Sequence, residues 1–124
     1  MDPLSQHIGE SVDQLVTIDV LGYGVIGPLY RAARERQEPP LCLSAARALA
    51  ERVRPGGCAM ITTGWILPGH APYGETDGPV GAAVLARAFA LGLQAKVLLV
   101  TETDLVGMVA ATCRAAELQV VSPE

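Results

Sequence analysis

Aromatic side chains are nearly missing from this chain of 124 residues: one Trp, one Phe and three Tyr make up 4% of it. That excludes the stacked aromatic platforms on which single-stranded nucleic acids are held. Positive charge is also thin. Nine Lys and Arg face thirteen Asp and Glu, a net −4, and no basic run occurs. Nucleic acid and anionic membranes need clustered positive charge, so neither is an expected partner. No Lys or Arg precedes Arg31, so the charged start of a secretory or mitochondrial leader is absent and a cytoplasmic location is expected. The longest apolar stretch, Val80–Leu93, is interrupted by Arg87 and falls short of a membrane span. Cys42, Cys58 and Cys113 are odd in number, widely separated and without a CxxC pair. They form neither a disulfide framework nor a zinc signature, and read as reduced, mostly buried thiols. What is abundant is apolar: half the residues, with only 18% charged. Disorder is thereby excluded, and the length suits at most one domain with a real core.

The first 55 residues read as a helical arm. Asp2 followed by Pro3 is a helix start, and Leu4, Ile8, Val12, Leu15 and Val16 recur at helical spacing up to about Ile18. Gly22, Gly24 and Gly27 break that helix. A short helix from Pro28 and a third over Ser44–Val53, burying Ala46, Leu49, Ala50 and Val53, complete the arm. After Pro55-Gly56-Gly57 the pattern changes. Cys58–Thr63, Lys96–Thr101 and Leu118–Val121 are short apolar runs, expected as neighbouring parallel strands covered on both faces. Apolar helices over Pro79–Gly92 and Leu105–Ala116 separate them. The predicted fold class is α/β: a parallel three-stranded β-α-β-α-β core behind a helical arm, half of a larger three-layer α/β/α domain. Helix Pro79–Gly92 is apolar enough to need a covering layer, so a homo-oligomer or a missing second half is expected.

One connection is too long. Residues 64–78 span fifteen positions where a βα loop normally takes about 2–6. Ligands of open α/β sheets bind outside the carboxyl ends of the strands, where this loop must lie. It ends in Gly74-Glu75-Thr76-Asp77-Gly78-Pro79-Val80-Gly81, at the start of the buried helix. Free N–H groups there can hold a carboxylate or phosphate, and Gly78 and Gly81 allow close approach. Glu75 and Asp77 can grip an ammonium or a cation; alternatively Asp77 or Gly78 caps the helix and Glu75 is solvated. A second pair, Glu102 and Asp104, follows the second strand. Asp104 reads most simply as the next helix cap, while Glu102 can reach the same crevice. Four carboxylates together would attract a divalent cation, Mn²⁺ or Mg²⁺, and raise some of their pKa values. Thr62 and Thr63 end the first strand with hydroxyls. Gly22-Tyr-Gly24-Val-Ile-Gly27 matches GxGxxG, but Pro39-Pro40 and a helix follow in place of a βαβ unit, so it reads as a turn. His70, without a histidine partner, reads as solvent-facing.

Ile61-Thr-Thr-Gly-Trp65, Gly74-Glu-Thr-Asp-Gly-Pro79, Gly81-Ala-Ala, Leu85-Ala-Arg87 and Leu98-Leu-Val-Thr101 resemble the D-glutamate cyclase-like domain family, as does the stretch from Val12 to Tyr30. The resemblance covers about residues 10–124. It implies an α/β domain and a hydro-lyase reaction, conversion of D-glutamate to 5-oxo-D-proline with loss of water. It also implies that the family domain runs on into a Gly-Asp-Gly-Gly-Asn-Glu-type segment absent here, so the chain reads as a front half. The residues expected to act are Glu75 and Asp77 as catalytic acids, with Thr63, Gly64, Thr76, Gly78, Gly81 and Glu102 binding substrate. A nucleotide-binding α/β domain and a non-catalytic ligand-binding or assembly fragment are the alternatives.

Overall fold

A computed structural model describes residues 2–121. It divides into two compact units, Met1–Arg52 and Val53–Glu124.

The first unit is helical. Helix α1 (Pro3–Val16) starts as its sequence requires: Asp2 accepts from the Leu4 and Ser5 N–H groups at 3.2 and 2.9 Å, and Pro3 stands where no N–H is needed. Helix α2 (Ile26–Arg34) begins two residues before Pro28, and α3 (Leu41–Arg52) begins three before Ser44. The expected apolar core does not form within this unit. Ala46, Leu49 and Ala50 are exposed, and so is the apolar stripe of α1. What α1 turns toward α3 is small or polar. Gly9 is buried against Pro40 and Leu43, and Asp13 is 1% exposed.

Asp13 is the tie. Its carboxylate accepts from the Leu41 and Cys42 N–H groups at 2.7 and 2.8 Å and from the Tyr30 hydroxyl at 3.0 Å, with Arg34 at 3.8 Å. Those two amides are the first of α3, so α1 supplies α3 with its cap. Burial alone would raise the Asp13 carboxyl. The Cys42 N–H and thiol, the Leu41 N–H and the Tyr30 hydroxyl outweigh it and hold the carboxyl below its ordinary value.

The second unit is mixed α/β. Strands β1 (Cys58–Thr62) and β2 (Lys96–Val100) pair in parallel, Cys58 opposite Lys96 through Thr62 opposite Val100. Helix α4 (Asp77–Arg87) continues through a π-helical turn, Ala88–Gly92. A 3₁₀ turn, Thr103–Leu105, leads into α5 (Val106–Ala115). Two apolar clusters hold it: Ala59, Phe89 and Ala95 at one end, Ala83, Val109 and Cys113 between the helices and β2. The alanines of α4 let it lie close to its neighbours. Arg87 ties the far end, donating to the Ala116 carbonyl at 2.6 Å and to Glu117 at 3.0 Å.

Two expectations fail here. Only one sheet face is covered: Met60, Leu98 and Val100 point outward and are exposed. Nor do residues 118–121 form a third strand, so the sheet among the described residues has two. The Leu118 N–H is taken by the Cys113 carbonyl at 3.0 Å, which closes α5 instead of starting a ladder. A cavity of about 600 Å³, lined by Val97, Leu99, Val109, Leu118 and Val120 among others, separates this segment from β2. No helix of the described residues is long and apolar enough to cross a membrane.

Candidate functional site

The carboxyl ends of β1 and β2 open into a shallow depression of about 550 Å³, lined by Thr63, Gly64, Trp65, Thr101 and Glu102 among others. Pairing runs one residue beyond the strands, since the Thr63 N–H donates to the Val100 carbonyl at 3.0 Å. The chain then turns sharply. Gly64 has φ +144°, and a Cβ there would fall on the Glu102 carboxylate, with Thr101 Oγ1 at 3.0 Å. Only glycine lets the loop pass this close.

Glu102 fastens that turn. Its Oε1 accepts from the Trp65 N–H at 2.9 Å, and Oε2 lies 3.3 Å from the Thr101 hydroxyl. Its own N–H, then those of Trp65 and Ile66, hold its carboxyl below the ordinary carboxylate value. Crowding of carboxylates was expected to raise a pKa here; backbone donors lower this one instead. Trp65 carries the strain of the arrangement, a non-glycine residue at φ +84° with its side chain exposed beside the depression.

The long loop is built from turns. The His70 N–H donates to the Leu67 carbonyl at 3.0 Å across Pro68-Gly69, Gly69 at φ +78°, and Leu67 and Ala71 exchange bonds of 3.1 and 2.8 Å. Pro followed by Gly at the two central positions is the preference of a type II turn. His70 is exposed, as expected. A second turn returns the Gly74 N–H to the Ala71 carbonyl at 3.1 Å. Gly74, buried at φ +77°, has space only for hydrogen, because a Cβ would meet Leu105 at 2.8 Å.

Helix α4 then starts beside Thr63. A Cβ on Gly78 would stand 2.8 Å from Thr63 Oγ1, so strand end and helix start abut. Neither Asp77 nor Gly78 is the cap. Thr76 is, in helical conformation and without a side-chain bond, and Asp77 is the first helical residue. A carboxylate there faces the positive end of the helix dipole. Pro79 is buried and Gly81 is exposed with open space around it. Asp104 caps nothing either. It lies inside the 3₁₀ turn whose cap is Glu102, and Leu105 precedes α5.

Of the residues singled out from sequence, Thr63, Gly64, Gly78 and Glu102 come together through these approaches. Glu75, Thr76 and Asp77 stand exposed at the loop's end, and among the described residues Glu75 and Asp77 make no side-chain hydrogen bond or ion pair. No three His, Cys, Asp or Glu side chains among the described residues are placed to share a metal ion. The divalent cation expected from the sequence thus finds no preassembled three-ligand cage among the described residues. Thr101 and Trp65 complete the lining of the depression, and the Trp65 and Ile66 amides hold the Glu102 carboxylate. Their part was hidden, because no residue pattern announces that a Trp will take positive φ.

Gly22 and Gly24, at φ +68° and +74°, lie between two helices in a turn closed by Asp19, which accepts from the Tyr23 and Gly24 N–H groups. The strand that a dinucleotide fingerprint must follow is absent there. No curated protein and no solved structure matches the chain. The family model described as D-glutamate cyclase-like, C-terminal, matches residues 12–123, nearly the whole length, and the chain belongs to that family.

Proposed function

We propose that this chain binds D-glutamate at the β1–α4 junction and takes part in its conversion to 5-oxo-D-proline. The observation that carries the reading is the abutment of Thr63 with Gly78 at the head of α4, inside the family match. In the reaction the α-amine nitrogen attacks the γ-carboxyl carbon. One C–N bond forms, one C–O bond breaks, and the two protons lost by the ammonium leave with the departing oxygen as water.

Three demands follow, and these residues can meet them. The ammonium must be held and deprotonated, which suits Glu75 or Asp77 beside the site. A substrate carboxylate must be fixed, which suits the free N–H groups of Thr76, Asp77 and Gly78 at the head of α4; Pro79 contributes none. The oxyanion that develops on the attacked carbonyl needs a donor, and the Thr63 hydroxyl is the nearest candidate. Glu102 is already engaged by backbone donors, so its part is to hold the Gly64–Trp65 turn rather than to act as base.

Calorimetry with D-glutamate, L-glutamate and 5-oxo-D-proline tests this. Asp77→Asn keeps the size of the side chain and removes its charge. It is expected to weaken D-glutamate binding at least about tenfold, the loss of one charge-assisted contact, while the melting temperature falls only slightly, by the lost charge–dipole contact of at most about 1 kcal/mol. Glu102→Gln should weaken it less. If wild type binds none of the three ligands, or Asp77→Asn binds as wild type does, the site is misassigned.

A further inference from the structure

We infer that the indole of Trp65 holds the ammonium end of the substrate and selects for it, given the reading of the β1–α4 junction as a D-glutamate site. Three non-glycine residues among those described take positive φ: Trp65, Gln94 and Glu117. Gln94 and Glu117 each stand one residue past a helix C-cap, Leu93 and Ala116, where left-handed backbone is ordinary. Trp65 follows a strand end and has no such reason. Its φ of +84° is held from both sides. The N–H donates to Glu102 Oε1 at 2.9 Å, and the carbonyl lies 3.6 Å from where a Gly74 Cβ would stand. Glycine would take this angle freely, as Gly69 and Gly74 do later in the loop. A bulky residue is kept there against backbone strain, and with its side chain 60% exposed it gains little from packing. What the position retains is an indole at the edge of the depression that it lines.

Charge selects the group that meets it. Among the described residues, Glu102 is the one charged side chain of that lining, and no Lys, Arg or His joins it. Its backbone donors keep the carboxyl ionised at neutral pH. This wall therefore repels carboxylates and attracts cations. An indole face adds to the attraction, because its ring quadrupole draws a cation lying within about 6 Å of the ring centre, and Trp does so more strongly than Tyr or Phe. Carboxylate and indole together suit an ammonium, while the Thr76, Asp77 and Gly78 amides at the head of α4 suit a carboxylate. A substrate carrying both groups is oriented by that division. Trp65 takes no proton; it acts in binding, before the amine is freed for attack.

Trp65 is the single tryptophan of the chain, so its fluorescence reports this position alone. D-Glutamate titrated into the wild-type chain should change that emission saturably, with the midpoint that calorimetry gives. D-2-Hydroxyglutarate, with a hydroxyl in place of the ammonium, is the discriminating ligand. Trp65→Leu keeps apolar bulk and removes the ring. It should weaken D-glutamate binding about fivefold, the size of a cation–π contact, and leave D-2-hydroxyglutarate binding unchanged. Trp65→Phe should fall between wild type and Trp65→Leu. Trp65→Gly should melt above Trp65→Leu, since glycine alone relieves the backbone. Three results overturn the inference and leave the D-glutamate reading standing: calorimetric binding of D-glutamate without an emission change, equal weakening of both ligands by Trp65→Leu, or a Trp65→Gly protein that melts below Trp65→Leu. A wild-type chain that binds D-glutamate by neither measurement overturns both. If Asp77→Asn binds as wild type does while Trp65→Leu shows its loss, the role of Trp65 is upheld and that of Asp77 falls.

Discussion

The two units solve the same problem by opposite means. Val53–Glu124 buries alanine, valine and phenylalanine in two clusters and leaves its polar groups at the strand ends. Met1–Arg52 fully buries no large apolar side chain among its described residues, leaves most of them exposed, and is tied through one buried carboxylate. Apolar burial is non-directional and tolerates sliding, whereas three hydrogen bonds and an ion pair to Asp13 fix register and angle. The first unit therefore has specified geometry with little driving force behind it. In the second, driving force leaves room for an open site.

Removing the tie should have the largest effect. Asp13→Ala leaves two helix-end amides unpaired and Arg34 facing no charge, a loss of about 3–5 kcal/mol if the site stays buried. The α3 amides, Leu41 and Cys42 first, should then lose protection in hydrogen exchange, while Ala59 and Val97 of the second unit keep theirs. Acid should act in the same direction. The folded Asp13 carboxyl titrates below its unfolded value, so its contribution is complete above about pH 4 and is lost as pH falls through the folded value. Equal loss of protection in both units on Asp13→Ala would erase the contrast between them.

How legible each unit was follows from the same contrast. Parallel pairing of Cys58–Thr62 with Lys96–Val100 could be read from two unbroken apolar runs around an apolar helix, because a crossover helix joins parallel neighbours. The α1 start at Asp2-Pro3 was equally plain, since capping is local. Asp13 left no such trace: its partners lie 17 and 28 residues away, and an Asp on a helix looks solvated. The same holds at the site. The ETDGP segment could be found, but the Glu102 clamp on Trp65 spans 37 residues and depends on a backbone angle that composition does not encode. The apolar run at Leu118–Val121 misled because Leu118 spends its amide on the α5 carbonyl.

Gly64→Ala should rank next. Its methyl group must displace the Glu102 carboxylate or the turn itself, an overpacking cost of roughly 1–3 kcal/mol. Here stability and ligand binding should fall together, because one contact shapes both. Thermal melts with calorimetry check it. Gly81→Ala is the matched control: its Cβ meets nothing within 4 Å, and alanine suits a helix interior, so stability should hold or rise slightly. A Gly64→Ala protein that melts and binds like wild type would mean the close approach to Glu102 is not maintained in solution.

The smallest effect is expected at Gly22, and it sharpens the assignment of the site to the second unit. Gly22 takes φ +68° with nothing within 4 Å of a built Cβ, so alanine would meet backbone strain but no clash. The cost is about 1 kcal/mol of local stability, confined to a surface turn that Asp19 already closes. Binding of D-glutamate should not change, because strand ends, loop and helix start all belong to residues 53–124. A dinucleotide held by Gly22–Gly27 would behave oppositely, since a methyl group at the first glycine blocks the tight turn such a fingerprint needs. Titrating Gly22→Ala in parallel with D-glutamate and with NAD separates the two. If wild type binds NAD and Gly22→Ala abolishes that binding, while Asp77→Asn leaves D-glutamate binding untouched, the functional site lies in the helical unit and the comparison between the units must be inverted.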